Sequence, residues 1–374
     1  MTIVMLFMAL LMFVGLVVAH ELGHFWVARK GGVEVEEFGL GFPPKAWGKT
    51  LKSGLLFTVN WLPLGGFVRL KGEHDSAKTK GSFGAARLRT KVAIMLAGVG
   101  VNLLVAFVLL TILAVIGMPR LIDNQFTVQR DTKTVQNRVF VGNVEKDSPA
   151  ANSGLRVRDR ILKVSSANTS YDVRSASDLP NVTKKYEGQK VQITIVRDGT
   201  EQVLDANVRS VQEVESSKKQ GQSKGYLGIS PIEFTLRRST WSAPIVAAGT
   251  LKQFTVETFK GLGRALWNVI QGEGKKASEQ VAGPVTIFVL LKDTSTIGFQ
   301  FTLMIIAIIS LTLAIMNALP IPALDGGRLF VTLLYRVVLR KPLTQETEER
   351  IHGTGFTLLL LLMVVITVVD IKRL

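Results

Sequence analysis

Four long apolar windows constrain this chain more than any other feature of its sequence. They cover residues 1–28, 92–117, 299–319 and 354–370. At a rise of ~1.5 Å per residue, a helix over each of the first three crosses the ~30 Å hydrocarbon layer of a bilayer, and the last is marginal. Hydrophobic residues make up 47% of the chain, which is high for a soluble protein. We therefore predict a multi-span α-helical membrane protein with four transmembrane helices.

The first window could alternatively be a secretory signal peptide. Residues 1–19 contain no charged side chain, so the basic segment that begins a signal peptide is missing. No pattern of small residues typical of a cleavage site follows the apolar stretch. A membrane span is the better interpretation.

The distribution of charge predicts the orientation and the partners. The net charge of +16 would suggest nucleic acid in a soluble protein, but residues 29–91 concentrate twelve Lys or Arg against five Asp or Glu. Such an excess is typical of a cytoplasmic loop. We therefore expect the lipid bilayer and no nucleic acid as partner, with the N-terminus and residues 118–298 outside the cytoplasm.

The cytoplasmic loop contains a predicted membrane-associated β-hairpin. Residues 55–70 carry β-forming runs on either side of Pro63 and the Gly65-Gly66 pair, which is a pattern typical of a hairpin or β-loop. Upstream, the Gly and Pro cluster at 39–44 predicts a tight turn.

Residues 138–212 predict a compact α+β domain inserted between the second and third spans. Ser148 is expected to cap a short helix, and Asp198-Gly199 to turn a hairpin. Residues 212–224 are polar and predict a flexible linker. Apolar residues recur at helical spacing within 237–275, which indicates amphipathic helices on the outer membrane surface or, alternatively, packed on the α+β domain.

The segment His20-Glu21-Leu22-Gly23-His24 places two imidazoles one helical turn apart on one face, with a carboxylate beside them. This spacing is typical of zinc peptidases, in which the carboxylate takes the proton of a zinc-activated water. The alternative is a pair of histidines packed on a helix face. We favour the metal because ionisable groups inside a span are costly and usually functional.

A third ligand must come from elsewhere, and it cannot be cysteine because the chain has none. Asp325 is the best candidate, since it follows two prolines that break the third span. The first and third spans run in the same direction, so His20, His24 and Asp325 can meet near the cytoplasmic face. Alternatively, Asp325 caps a helix that begins near Arg328. His74 and His352 are expected to be surface residues in loops.

The two distant motifs together resemble the site-2 protease family of intramembrane zinc metalloproteases, and the chain is similar to the bacterial RseP-type branch with a single PDZ domain. The resemblance rests on 20–24, on 317–327 and on 63–67, with weaker matches at 39–41 and 283–285. The chain departs from the family at Val99, where proline is usual, and in having room for only one PDZ domain.

The resemblance implies a zinc ion held by His20, His24 and Asp325, and Glu21 as the catalytic acid and base. It implies substrate contacts at four residues, which are Asn317, Gly65, Gly66 and Phe67. The α+β domain would be PDZ-like and extracytoplasmic.

The implied activity is hydrolysis of peptide bonds within transmembrane segments of single-pass membrane proteins, such as anti-sigma factors or signal-peptide remnants. These substrates would first be shortened by another protease. The implied location is the bacterial inner membrane. Two alternatives stay open at this point: a non-catalytic membrane adaptor that uses its PDZ domain, and a protease whose histidine motif lies in a soluble domain.

Overall fold

The computed structural model describes residues 2–166, 169–219, 224–341 and 343–373. Its α-helices, in chain order, are α1 Thr2–Lys30, α2 Leu88–Ile116, α3 Pro149–Asn152, α4 Asp178–Lys185, α5 Val211–Lys219, α6 Ala243–Ile270, α7 Gly274–Glu279, α8 Pro284–Ile297, α9 Phe299–Ala318, α10 Asp325–Leu333 and α11 Gln345–Arg373. A π-helical turn, Leu334–Val338, follows α10. The strands are β1 Val35–Thr50, β2 Leu56–Leu70, β3 Met118–Pro119, β4 Lys133–Val144, β5 Arg160–Ser166, β6 Thr169–Asp172, β7 Lys190–Arg197, β8 Thr200–Asn207 and β9 Ile229–Arg238.

The chain divides into two compact units, which we describe separately. The helical unit consists of Val4–Ile112, Pro244–Ser295 and Phe301–Leu374. The second is built mainly from Leu113–Ala243.

Among the described residues, four helices are long and apolar enough to cross a membrane, in agreement with the predicted windows. Their spanning segments are Leu6–Lys30, Leu88–Ile116, Phe299–Ala318 and Gln345–Lys372. The last helix begins earlier than the predicted start at residue 354, because its polar first turns continue the same helix. Helix α2 is unbroken at Val99. The protein is therefore a multi-span helical membrane protein.

The helical unit also contains a small antiparallel sheet made by β1 and β2, and both strands bend. The arm 35–40 lies between two arms of β2, pairing Leu40 with Gly66 on one side and Phe38 with Phe57 on the other. The arm 45–50 pairs with residues 56–60. The predicted β-structure is present, but the two halves of 55–70 do not form a hairpin with each other, because the 35–40 arm separates them.

The second unit is a seven-stranded sheet with the strand order β3-β9-β4-β5-β7-β8, and β6 pairs with β5. Two local predictions are confirmed. Ser148 caps α3, since its Oγ accepts from the main-chain N of Ala151 at 3.1 Å. The turn between β7 and β8 has positive φ at Asp198 (50°) and Gly199 (83°), a conformation that favours this pair of residues.

This sheet extends beyond the predicted range of 138–212. Strand β9 pairs with β4 from Ile229 to Arg238, so Arg237 belongs to a strand and α6 begins only at Ala243. The predicted flexible linker is wrong for its first part, which forms α5. That helix is held by the buried side chains of Val214 and Ser217, while residues 220–223 of the linker lie outside the described residues.

A buried ion pair in this unit gives a test of the fold. Asp159 is 2% exposed, and its carboxylate accepts from the main-chain N of Arg156 and from Nε and Nη2 of Arg197 at 2.6–2.7 Å. Asp159→Ala leaves Arg197 without this partner and should destabilise the unit by about 3 kcal/mol, measured by pulse proteolysis in denaturant on the detergent-solubilised protein. Asp172→Ala is the control, because its contact with Arg174 is exposed and spans 3.5 Å. Equal effects of the two changes would contradict this assignment.

Candidate metal centre

Helices α1 and α2 pass close enough for the two histidines of α1 to lie directly against α2. A Cβ at Gly23 would stand 2.9 Å from the main-chain O of Ala97. A Cβ at Gly98 would stand 2.5 Å from Nε2 of His24 and 2.6 Å from Nδ1 of His20. Both glycines therefore permit a close approach that any larger residue would prevent.

Three polar atoms converge at this contact. Oδ2 of Asp325 lies 3.1 Å from Nε2 of His20 and 3.2 Å from Nε2 of His24. The two Nε2 atoms are themselves 3.2 Å apart. The structure thus brings together the three residues for which the sequence predicted a shared metal, although Asp325 is about 300 positions from the histidines.

The loop after α9 positions Asp325. Ala323 has a positive φ of 78°, and it, rather than a glycine, makes the sharp return. Gly326 has another role, because a Cβ there would stand 2.5 Å from the main chain of Ala318. Asp325 is the first residue of α10, and the N-cap position is Leu324, so Asp325 is not the helix cap considered as an alternative.

The three residues fit a zinc ion. Zinc binds His nitrogen and carboxylate oxygen at ~2.0–2.2 Å in a tetrahedral arrangement, which separates neighbouring ligand atoms by about 3.3 Å. The observed separations of 3.1–3.2 Å are close to that value. In addition, Oδ2 of Asp325 is buried and receives no hydrogen bond of normal geometry from the described residues. A cation between the three atoms would satisfy it.

Helix α2 also contacts the far side of each imidazole. Nδ1 of His24 lies 2.8 Å from the main-chain O of Ile94. Nδ1 of His20 lies 3.2 Å from the side-chain amide of Asn102. Together with Gly98, these residues are spaced by four, so they share one face of α2. That face turns both Nε2 atoms toward Asp325.

A cavity of about 180 Å³ opens beside the three atoms. It is lined by Glu21 and by Phe67. Glu73 and Arg328 also line it, paired by a hydrogen bond of 2.6 Å between Oε1 and Nη1. The main-chain O of Glu73 accepts from Nη2 of the same arginine at 3.0 Å. The cavity is therefore lined by the Glu21 carboxylate and by the ion pair of Glu73 with Arg328.

The other predicted site residues are Gly65, Gly66 and Asn317, and they differ in how they are placed relative to this cavity. A Cβ at Gly66 would stand 3.1 Å from Cγ of Glu21, so the β2 backbone runs against the predicted catalytic side chain. Gly65, with a φ of 105°, precedes it in the bend of β2. Asn317 is half-buried in the last turn of α9 and is not among the described residues that line the cavity.

Neither remaining histidine joins the cluster. His74 is partly exposed and lies 3.5 Å from Glu349. His352 lies in α11 rather than in a loop, and its Nδ1 accepts from the main-chain N of Ala323 at 3.3 Å. The prediction of a surface loop was wrong for His352, because helix α11 starts earlier than its apolar window and packs on the loop before Asp325.

Sequence reasoning assigned no site role to Ile94, Gly98, Asn102, Glu73 or Arg328. The spacing of 94, 98 and 102 was a usable signal, since it places these residues on one helix face. The pairing of that face with His20 and His24 was not visible, because it depends on how α1 and α2 pack. No local pattern marked the contact of Glu73 with Arg328, which are about 250 residues apart.

Comparison with known proteins identifies the family. The model of peptidase family M50 matches residues 8–362, which is nearly the whole chain. The chain belongs to peptidase family M50. M50 peptidases are zinc-dependent, and this protein is a zinc-dependent membrane protease. The non-catalytic adaptor considered from the sequence is therefore wrong.

Individual relatives agree with this family. A Clostridium perfringens protein named "putative zinc metalloprotease" is 31% identical over 369 residues, covering 97% of each chain. A Clostridium acetobutylicum protein with the same description is 30% identical over 369 residues, covering 97% of this chain and 96% of the relative. The zinc metalloprotease RasP of Shouchella clausii is 24% identical over 440 residues, covering 96% of each chain. The M50 chain thus matches these relatives over almost their full length.

The close approach at Gly98 gives a test of the metal centre. Gly98→Ala places a methyl group against both imidazoles, so the purified variant should lose most of its bound zinc, measured by metal analysis after dialysis. Gly100→Ala is the matched control two residues along the same helix, where a Cβ meets nothing within 4 Å. Equal zinc content in the two variants would contradict the described geometry.

Proposed function

We propose that this M50 protease is an intramembrane endopeptidase that hydrolyses peptide bonds within transmembrane segments of single-pass membrane proteins. The observation that carries the proposal is the meeting of His20, His24 and Asp325 beside Glu21, with both histidines inside an apolar span. Ionisable groups in such an environment are costly and usually functional. A protease active on soluble proteins has no need to place its centre there.

His20, His24 and Asp325 would hold the zinc ion, each through one atom. Zinc at this position supplies a Lewis acid that activates water and polarises a peptide carbonyl. Three protein ligands would match the number found in catalytic zinc sites. The cavity beside the cluster gives water and substrate room to reach it.

Glu21 would act as the general base and then as the general acid. It follows His20 in the same helical turn and lines the same cavity, and Gly66 packs against its Cγ without contributing a hydrogen bond to it. Its carboxylate would accept the proton of the attacking water and deliver it to the leaving amine. This role requires no further acid in the cavity.

The bent sheet would bind the substrate backbone. A transmembrane helix hides its peptide bonds in internal hydrogen bonds, so a substrate must unwind before cleavage, and an outer strand can then pair with the freed groups. Residues 66–70 form an outer arm of the sheet, and Phe67 on this arm lines the cavity. Gly65 and Gly66 would let the substrate approach closely, and Asn317 would hydrogen-bond to its backbone.

The proposed setting is the bacterial inner membrane, with the metal centre near the cytoplasmic end of α1. Basic residues in the loop after α1 support this orientation. The seven-stranded unit would then be extracytoplasmic and PDZ-like, where it would select substrates already shortened by another protease, as in regulated intramembrane proteolysis. The exposed apolar residues of α6, including Leu266 and Trp267, would lie on the outer membrane surface.

The proposed role of Glu21 predicts a separation of zinc binding from catalysis. Glu21→Gln should retain one zinc per chain and lower the rate of cleavage of a membrane-embedded reporter by about 10²–10⁴-fold, because only the proton acceptor is lost. Glu36→Gln is the control, since this glutamate is about half exposed and pairs only loosely with Arg69, at 3.6 Å. Full activity of Glu21→Gln would refute the mechanism.

The proposed binding of an unwound substrate predicts a dependence on helix propensity. A reporter whose transmembrane segment has Gly or Pro next to the cleavage site should be cleaved faster than one with Leu or Ala there, because it unwinds at lower cost. Asn317→Ala should raise KM and leave the zinc content unchanged. Cleavage that is insensitive to both changes would count against capture of an extended substrate.

A further inference from the structure

The outer contacts of the two histidines differ in kind. Nδ1 of His24 faces a main-chain carbonyl, the O of Ile94, at 2.8 Å. A carbonyl only accepts hydrogen bonds, so it holds the His24 proton on Nδ1 and leaves Nε2 with a lone pair. His20 has a side-chain amide in the equivalent place, and an amide can present either a donor or an acceptor.

Asn102 is placed with its amide nitrogen toward Nδ1 of His20, at 3.2 Å. Its other amide atom, Oδ1, is buried and has no hydrogen-bond partner among the described residues. A buried acceptor without a partner costs about 1–3 kcal/mol. In this arrangement, one polar atom of the Asn102 side chain therefore lacks a hydrogen bond.

Metal binding sets a requirement at the same atom. An imidazole that binds a metal through Nε2 is neutral and carries its proton on Nδ1, so Nδ1 must donate. Nδ2 of Asn102 cannot accept that proton. A half-turn of the amide about its last bond exchanges Nδ2 and Oδ1 in nearly the same volume, and it lets Oδ1 accept the hydrogen bond from Nδ1–H of His20.

We propose that Asn102 is a positioning residue of the metal centre, whose Oδ1 accepts a hydrogen bond from Nδ1–H of His20 and thereby fixes the tautomer that presents Nε2 to zinc. The inference rests on the proposed ligand role of His20. Helix α2 would then orient both histidines, His24 through the main-chain carbonyl of Ile94 and His20 through the side-chain amide of Asn102.

Asn102 is enclosed by neighbouring residues beside His20. The residue is fully buried, with 0% of its surface exposed. Oγ of Ser310 on α9 donates to its main-chain O at 2.9 Å. Gly98, one turn earlier on α2, lies under both imidazoles and keeps the helix close to them. The contact with Ser310 is made by the main chain of Asn102, so the orientation of the side-chain amide toward His20 does not depend on it.

The test compares substitutions that differ only in whether they can accept a hydrogen bond. Asn102→Leu keeps the approximate shape and cannot accept, and Asn102→Asp keeps the shape and can only accept. Zinc affinity of each full-length variant is measured by competition with a chromogenic chelator, together with cleavage of a membrane reporter. Ser310→Ala is the matched control, since it removes a buried hydrogen bond to the main chain of the same residue.

We expect Asn102→Leu to weaken zinc binding about 10–100-fold, as is typical of lost outer contacts to a ligand. Asn102→Asp should stay within about threefold of the unaltered protein or bind more tightly, and it should keep its activity. Ser310→Ala should leave the zinc affinity unchanged. If Asn102→Leu does not fold, Asn102→Ala takes its place, because it adds no bulk.

The proposal would be overturned if Asn102→Leu bound zinc as tightly as the unaltered protein. It would also be overturned if Asn102→Asp lost as much zinc affinity as Asn102→Leu, since that would exclude the acceptor role. These outcomes are distinct from failure of the proposed metal site. If the unaltered protein binds no zinc at His20, His24 and Asp325, the proposed function fails. If it binds zinc there and Asn102→Leu does so equally well, only the role of Asn102 fails.

Discussion

The metal centre depends on one constraint, which is that polar groups buried among apolar helices must be satisfied by one another. His20, His24 and Asp325 bring three polar ligand atoms to within 3.1–3.2 Å in a chain whose surrounding helices are almost entirely apolar. Such atoms repel one another unless a cation or a proton lies between them. A site that suits a metal ion is thus built into the packing of the helices as well as into the choice of side chains.

The rest of the helical unit can be understood as support for that arrangement. Gly23 and Gly98 let α1 and α2 approach, and the broken backbone between α9 and α10 returns Asp325 to the histidines. An ionic cluster joins the turn after α10 to α2 and α11 through the loop that precedes α2. Asp75 contacts Lys91 and accepts from Nε of Arg336 at 2.6 Å, and its main-chain N donates to Glu348 at 2.9 Å. Buried charges of this kind fix a geometry because any misplaced partner would be unpaired.

The sequence alone was sufficient for the features with strong local signals. The four spans followed from apolar length, and the pairing of His20 with His24 followed from helical spacing. Asp325 followed from the exclusion of cysteine and from the two prolines before it. The turn at Asp198-Gly199 followed from residues that tolerate positive φ. For the spans, the histidine pair and the turn, the determining interaction lies within a few residues along the chain, whereas Asp325 also required the shared direction of the first and third spans.

The features that could not be predicted depend on contacts between distant segments. The arm 35–40 lies inside the sheet with 56–60 and 66–70, because pairing of bent strands is a tertiary choice. Strand β9 joins the second sheet from beyond a polar segment that resembled a linker. The contact between Asn102 and His20 depends on the packing of α1 against α2. The sequence carries no local signal for the first two, and for Asn102 it shows only that this residue shares a helix face with Ile94 and Gly98.

The most direct test of the account is zinc K-edge absorption spectroscopy of the purified protein, with the metal content measured in parallel. We predict one zinc per chain, bound by two imidazole nitrogens and one carboxylate oxygen. We also predict that Asp325→Asn and His20→Ala lose the ion, while a change at His74, which stands apart from the cluster, does not. Zinc that persists with an unaltered ligand environment in Asp325→Asn and His20→Ala would contradict the account.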